Sequence, residues 1–378
     1  METCDVLVVG GGPAGSTCAG RLKQAGLDVL LLDKELFPRQ KPCAGWITPA
    51  VLEAAGINRD EYRQGRVLQA INSFRTGLIN GDSVVTRFGR TVSYGIRRSE
   101  FDHYLLQHSY ARQSLGEAVT VVNRNDGWWS VNGRIRARLL VGAGGHFCPV
   151  ARLLGARIGQ EDVVVAQVAE CDLSPEEERL SSIQPDTPAL YFCRDMKGYG
   201  WLFRKGNVLN IGLGRMGTGN LARHTRDFCT FLTQRRELPS SFRSRFHGHA
   251  YRVYGGEAMR RCVGDGVLLI GDAAGLAHPL SGEGILPAIE SGLLAAETIL
   301  AANGDYVRDN LEPYAARLAL RFGCGSLHMA SSPAFSRLSR FIGARLLANN
   351  WFTRHIVLER WFLHAGLGMQ NPYKEENH

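Results

Sequence analysis

The sequence predicts an α/β chain, α+β overall: a Rossmann-like dinucleotide-binding unit split along the sequence, a mostly antiparallel β-sheet inserted into it, and a helical C-terminal segment. Three observations carry this. The chain opens on an apolar run, CDVLVV, that leads through GGGPAG into a helical pattern and a second run, LLLD. A further strand, loop and helix pattern, VLLIGDAAGLAHPLSGEGILPAIESGLLAAE, fills residues 267–297. Between them lie DVVVAQVAE, PALYFC, GYGWLFRK, NVLNIGLG and HAYRVYGG, whose alternation reads as an antiparallel sheet. The split unit is predicted over 1–70, 95–160 and 257–310, the inserted sheet over 71–94 and 161–256, and the helical region over 311–378.

In the first unit, Gly10, Gly12 and Gly15 form G-x-G-x-x-G around Pro13 and Ala14, between a strand and a helix. The first glycine permits the tight turn, the second lets backbone approach a pyrophosphate, and the third lets the helix pack on the strand. Phosphate then meets the positive end of the helix dipole. Asp33, followed by Lys34, ends the second strand, where a carboxylate can bond ribose hydroxyls. These residues point to a dinucleotide without saying which.

The downstream pattern narrows the choice. Gly271 and Asp272 end a β-run, Pro279, Gly282, Glu283 and Gly284 occupy a loop, and Ile285 opens a long helix. This segment resembles the second FAD motif of the glutathione-reductase-type proteins in the p-hydroxybenzoate hydroxylase superfamily. The resemblance implies FAD, with Asp272 on the ribityl chain and the helix start facing the N1 and C2 side of the flavin. A helix N-terminus stabilises the negative charge of a reduced flavin, which agrees. GIRRSEFDHYLL is similar to a further segment of that family and implies Arg98 near the FAD pyrophosphate, with Arg97 less well aligned. Residues 119–141 read as an antiparallel meander with a hairpin turn at Asn132-Gly133. They lead into LLVGAGGHFCPVARLLG, where Gly144 stands in place of an aspartate that relatives use in cofactor contacts, including those to NADPH.

The inserted sheet carries the substrate side. In GYGWLF the two-residue period puts Tyr199, Trp201 and Phe203 on one face. GYGWLFRKGNVLNIGLG resembles the Y-x-W-x-F-P-K motif of the geranylgeranyl reductase family, with Arg204 in place of proline. FPRQKPCAGWITPAVL resembles the lysine-proline-cysteine-glycine-glycine loop of the same family, with Lys41, Cys43 and Gly45 matching and Ala44 and Trp46 replacing glycines. In that family the loop approaches the isoalloxazine ring and its cysteine lines the active site. The resemblance, which spans residues 3 to 300, implies an FAD-dependent reductase that saturates isolated C=C bonds of a polyprenyl chain on a lipid or quinone. Cys43, Tyr199 and Trp201 are then the catalytic candidates. Tyr199, Trp201 and Phe203 wall an apolar channel in which each buried methylene contributes about 0.8 kcal/mol. A thiol is mainly protonated at neutral pH, so Cys43 can serve as proton donor or positioning group.

Composition bounds the partners. At 378 residues and 44% hydrophobic content the chain can bury a full core. Nine scattered cysteines, without a C-x-x-C pair, fit neither a disulfide framework nor a metal site, so reduced thiols and a cytoplasmic setting are expected. The first strand begins within five residues of Met1 and no apolar run is long enough to span a membrane, so neither export nor membrane spanning is expected. The net charge of +8 comes mostly from arginine, dense over Arg235–Arg261 and Arg308–Arg360, and favours an acidic partner. No nucleic-acid-binding pattern accompanies it. With one G-x-G-x-x-G and Gly144 lacking the superfamily acid, a small acidic redox protein is the expected electron donor, with NAD(P)H the alternative.

Beyond residue 305 a helical pattern mixes Arg317, Arg321, Arg337, Arg340, Arg345, Arg354 and Arg360 with Leu, Phe and Trp. Such a segment either lies in a lipid interface at the inner face of the membrane or packs against the FAD unit. Two rival functions share the FAD motifs. One is a flavin monooxygenase or halogenase, although the halogenase W-x-W-x-I-P signature is unmatched, with Tyr199, Phe203 and Arg204 at those places. The other is a flavin-binding regulatory protein without turnover, which the intact cysteine loop and aromatic strand oppose.

Overall fold

Uninterrupted apolar runs become parallel strands, because a parallel strand is covered on both faces. In the computed structural model, which describes residues 1–156, 163–180, 182–217, 219–238, 242, 244–254, 260–323, 347 and 349–364, Val29, Leu30, Leu31 and Leu32 are at most 1% exposed. Each such side chain contributes about 1.5–3 kcal/mol by leaving water. Their strand, Val29–Asp33, belongs to an eight-stranded sheet whose main path runs Val263–Gly264, Val267–Leu269, Ile135–Gly142, Glu2–Val9, Val29–Asp33, Arg112–Leu115. The first pairing of that path is antiparallel and the other four are parallel.

The predicted meander is present as Val122–Asn125, Trp128–Val131 and Ile135–Gly142, paired antiparallel. Its turn has Asn132 at φ 51° and Gly133 at φ 63°, as a two-residue hairpin requires. The last strand also pairs with Glu2–Val9, so it closes the meander and joins the parallel sheet at once.

Glu2–Val9 feeds the first helix, Pro13–Gln24. A Cβ at Gly15 would lie 1.9 Å from the carbonyl oxygen of Gly10, so only glycine lets the helix start this close to the strand. The long helix Ile285–Ala301 packs against the first helix and buries Ile289, Ala295, Ala296 and Ile299.

The inserted segments form a seven-stranded sheet in the order His247–Tyr251, Val164–Asp172, Val208–Met216, Gly198–Lys205, Ala189–Phe192, Ser73–Leu78, Ser83–Arg87. Every pairing is antiparallel except that between Ala189–Phe192 and Ser73–Leu78. Period two divides its side chains as expected. Leu202 joins Phe228, Phe231 and Leu232 of helix Leu221–Gln234 on one face. Trp201 and Phe203 lie in the cluster on the other face. A three-stranded sheet of Trp46–Ile47, Leu68–Ile71 and Ser93–Ile96 completes the β-structure.

The C-terminal helices divide between the two large sheets. Arg308–Phe322 buries Leu311, Tyr314, Leu318 and Phe322 in the parallel-sheet core, and the Tyr314 hydroxyl donates to the Leu269 carbonyl at 2.8 Å. Thr353–Phe362, a helix of wide i→i+5 turns, instead covers the inserted sheet through Val357, Leu358 and Phe362. Arg317 and Arg321 pair with Glu297 and Glu290 at 2.5 and 2.9 Å. Arg354 pairs with Glu359 at 3.1 Å, and Arg360 is exposed. Arg337, Arg340 and Arg345, like the expected boundaries at 160 and 256, lie outside the described residues. All eight described cysteines are free. Among the described residues no helix is long and apolar enough to cross a membrane.

Candidate active site

The two helices marked as cofactor-facing start on one cavity of 620 Å³. Neither has a side-chain cap: Gly12 and Gly284 are the N-cap residues, leaving first-turn N–H groups free for an acceptor. Gly10, Gly12, Pro13, Ala14, Asp33, Lys34 and Gly144 line one end of the cavity. Asp272, Gly282, Glu283, Gly284 and Ile285 border it from the downstream loop. Lys41, Cys43, Ala44, Arg98, Tyr199 and Trp201 line the remainder.

Five expected site residues do not line the cavity. Gly15, Gly45 and Pro279 lie outside its lining, and the Gly271 amide donates to Ser291 Oγ at 2.9 Å. Phe203 is on the predicted face of its strand but is 2% exposed, packed over Gly95 with its ring 5.4 Å from Lys205 Nζ. The three-aromatic wall is therefore corrected: Tyr199 and Trp201 line the cavity, and Phe362 from the C-terminal helix takes the third position.

Asp33 is 9% exposed and ties the glycine-rich loop to the second strand. Its Oδ2 accepts from Gly11 N at 2.6 Å and its Oδ1 from Glu35 N at 2.9 Å. Each carboxylate oxygen retains acceptor capacity for a ribose hydroxyl. Buried Asp102 orients two cations: Arg98 bonds it bidentately at 2.7 and 2.8 Å, and Arg39 approaches at 3.1 Å. Arg98 also interacts electrostatically with Cys43. Burial pushes the Lys41 ammonium below its usual pKa, partly offset by Asp272, while Arg98 and Arg39 reinforce the fall. His249 stands between Lys41, at 3.5 Å, and Asp272, at 3.9 Å. Burial, then Lys41 and Arg98, hold its pKa well below the ordinary histidine value, so it is neutral.

These residues fit FAD. Arg39 Nη1, Thr48 Oγ1 and Glu283 Oε1 belong to cavity-lining residues and are buried with no partner among the described residues. Leaving such a group unpaired costs about 1–3 kcal/mol. A polyhydroxylated diphosphate offers the donors and acceptors that would pair them. Arg39, Lys41 and Arg98 supply positive charge, and the two helix starts supply N–H groups for phosphate and for a reduced isoalloxazine.

The cysteine loop is fastened by residues that sequence reasoning passed over. Asn210 Nδ2 donates to the Cys43 carbonyl at 3.0 Å and to Glu170 Oε1 at 2.8 Å. Its Oδ1 accepts from Trp201 Nε1 at 2.7 Å. Lys205, fully buried, donates to the carbonyls of Ala44 and Ile96 at 3.2 and 3.0 Å and pairs with Glu170. Gly45, at φ +65°, is required there, since a Cβ would lie 2.3 Å from the Ile96 oxygen and 2.8 Å from Lys205 Nζ. Glu170 and Asn210 sit directly across from one another in adjacent strands. A charged and an amide residue inside apolar runs, VAQVAEC and VLNIGLG, was the available sign, because such groups are buried only when partnered.

The polar atoms of the two wall aromatics are likewise occupied. The Tyr199 hydroxyl donates to the Ser281 carbonyl of the downstream loop. Burial, then Tyr251 and Cys43, raise its pKa well above the phenol value, so it remains protonated. The cavity thus joins a cationic, N–H-rich end to an aromatic end, with a thiol between them.

The profile described as "FAD binding domain" matches residues 3–320. The chain belongs to that family. A menaquinone reductase of Mycobacterium tuberculosis is 31% identical over 350 residues, 86% of this chain and 82% of that protein. Digeranylgeranylglycerophospholipid reductase 1 of Methanopyrus kandleri is 30% identical over 324 residues, 79% of this chain and 80% of that protein. Among solved structures, a geranylgeranyl bacteriochlorophyll reductase-like protein from Thermoplasma acidophilum superposes with TM-score 0.73 at 23% identity, over 92% of this chain and 88% of that one. The halogenase PltM with phloroglucinol and FAD shares the fold, with TM-score 0.64 at 18% identity over 82% of this chain and 72% of that one. This member of the FAD binding domain family is an FAD-dependent oxidoreductase, geranylgeranyl reductase-like, with FAD as its cofactor.

Proposed function

We propose that the protein reduces isolated C=C bonds of a polyprenyl chain carried by a lipid, quinone or related isoprenoid. The observation that carries this reading is the meeting of Cys43 with the aromatic pair Tyr199 and Trp201 in one cavity, beside residues that fit FAD. The names of the two relatives, one acting on menaquinone and one on a digeranylgeranyl lipid, support it.

An isolated alkene is not polarised, so one carbon must receive a hydride as the other receives a proton, and positioning supplies much of the help. Bound, reduced FAD supplies the hydride. Tyr199 and Trp201 hold the chain by apolar contact, their polar atoms being engaged with Ser281 and Asn210. Cys43 Sγ gives its proton to the second carbon: the π bond breaks, two C–H bonds form, and the thiolate is left beside the Arg98 guanidinium. Asn210 and Lys205 fix the loop so that the sulfur stays on that side.

Around this centre we propose a three-part chain with an FAD unit of residues 1–70, 95–160 and 257–310, a substrate sheet of 71–94 and 161–256, and a C-terminal helical region of 311–378, of which 311–323, 347 and 349–364 are described. Electrons come from a small acidic redox protein or NAD(P)H, and the protein works in the cytoplasm at the inner face of the membrane, where a prenyl substrate resides. The net charge of +8 supports both contacts. Mass spectrometry of polyprenyl lipids and quinones from cells with and without the gene tests the function. The reading expects one prenyl species to lose two hydrogens per missing reduction when the gene is removed. Unchanged prenyl lipids alongside a missing hydroxylated product would favour the monooxygenase reading instead.

A further inference from the structure

At the aromatic end of the cavity one ring is laid on another. Trp46, from the cysteine-loop strand, and Phe362, from the C-terminal helix, stack with centroids 5.3 Å apart and planes 11° from parallel. Phe362 also meets Tyr199 edge-on at 5.3 Å and 78°, and is 3% exposed. The ring is thus wedged between the cysteine loop and the aromatic strand.

Two features make this contact able to yield. Phe362 is the last residue of the wide-turn helix, a geometry concentrated at functional sites. Two residues on, His364 adopts φ 53° and its Nε2 hydrogen-bonds Glu283 Oε2 at 2.7 Å, so the helix end is fastened by a side-chain bond to the loop facing the cofactor. The other feature is Trp46 Nε1, buried with no partner among the described residues. A donor in that state carries a desolvation cost that is relieved when the ring beside it moves and water or a polar group reaches it.

We propose that the Trp46–Phe362 pair is the specificity-determining stop of the prenyl channel, so that the length of chain admitted is set by the C-terminal helix together with the cysteine loop. This rests on the prenyl-reductase reading above. Removing either ring lengthens the channel without touching Cys43, Arg98 or the cofactor-facing helix starts.

The test compares the FAD-loaded protein with Phe362→Ala, Trp46→Ala and Phe362→Leu on farnesyl- and geranylgeranyl-bearing lipids of the same headgroup. Equilibrium binding and kcat/KM are both measured, with FAD content taken from flavin absorbance. The expected result is a rise of roughly tenfold or more in the geranylgeranyl-to-farnesyl ratio for the alanine variants, the discrimination that small changes in an apolar pocket deliver. Phe362→Leu, which keeps the helix packed, should give a smaller rise in the same direction. Ratios unchanged in FAD-replete variants overturn the stop while leaving the reductase reading intact. A wild-type protein that neither binds nor reduces either lipid overturns both.

Discussion

Asn210 Nδ2 lies 3.0 Å from the carbonyl oxygen of Cys43, while its Oδ1 accepts the Trp201 indole N–H at 2.7 Å. One amide therefore couples the thiol loop to the aromatic wall, and Glu170 and Lys205 extend the couple to Ala44 and Ile96.

Asn210→Leu keeps side-chain volume but leaves the Cys43 carbonyl and the Trp201 N–H unpaired. At about 1–3 kcal/mol for an abandoned buried group, chemical denaturation should show a loss of that order. Alkene turnover should fall while flavin content is retained, since no cofactor-facing group is removed. Full turnover in this variant would show that the loop holds its place unaided.

Lys205→Met tests the ion pair behind the same loop. Burial lowers the Lys205 pKa and Glu170 opposes that fall, so the ammonium depends on its partner. Breaking one side of a buried pair costs about 3–5 kcal/mol, discounted here because the Glu170 side chain is 24% exposed. The double variant Lys205→Met with Glu170→Gln should recover part of the loss. Strict additivity of the two single losses, read by thermal or urea unfolding, would count against coupling.

The fold was legible where residues face a single requirement. Glycine spacing after CDVLVV and the two-residue period of GYGWLF fixed the first helix start and the face carrying Tyr199 and Trp201, and both hold. Phe203 misled because period two assigns a face and not a depth: two residues beyond Trp201 the strand runs under Gly95, away from the cavity. Phe362 could not be found by pattern, since its contact with Trp46 joins residues more than three hundred positions apart. Asp33 has a second duty that sequence hides, because the bond to Gly11 N appears only when the loop folds back. Asp33→Ala should lower both FAD affinity and thermal stability, the latter by about 1.5–3 kcal/mol per lost charged hydrogen bond at most. Isothermal titration of the apoprotein with FAD, alongside thermal unfolding, reads both.

Cys43→Ala should retain bound flavin and lose alkene reduction by roughly 10²- to 10⁴-fold, the usual contribution of a general acid. Cys43→Ser should lie between. A Cys43→Ala protein with undiminished reduction would remove the thiol from the reaction.

His278 gives the cofactor-facing loop a pH dependence. Its Nδ1 accepts from the Leu280 and Ser281 amides, and burial, then His364, lower its pKa to about 3. Because the folded value lies below the unfolded one, near 6.5, the unfolded chain binds the proton first as pH falls. The stability that neutral His278 contributes is complete above about pH 6.5 and is lost on acidification from there towards pH 3. The melting temperature should decline over that window, and His278→Gln should flatten the decline. An equal slope in the variant would assign the acid sensitivity elsewhere.

The most direct measurement is an anaerobic single turnover. Purified protein is loaded with FAD, reduced photochemically and mixed with a geranylgeranyl lipid while flavin absorbance and product mass are followed. The account predicts that the flavin reoxidises without oxygen as the lipid gains two hydrogens per double bond, with both processes slowed together by Cys43→Ala. A reduced flavin that ignores the lipid and reoxidises only when oxygen is admitted, yielding a hydroxylated or unaltered chain, would contradict it.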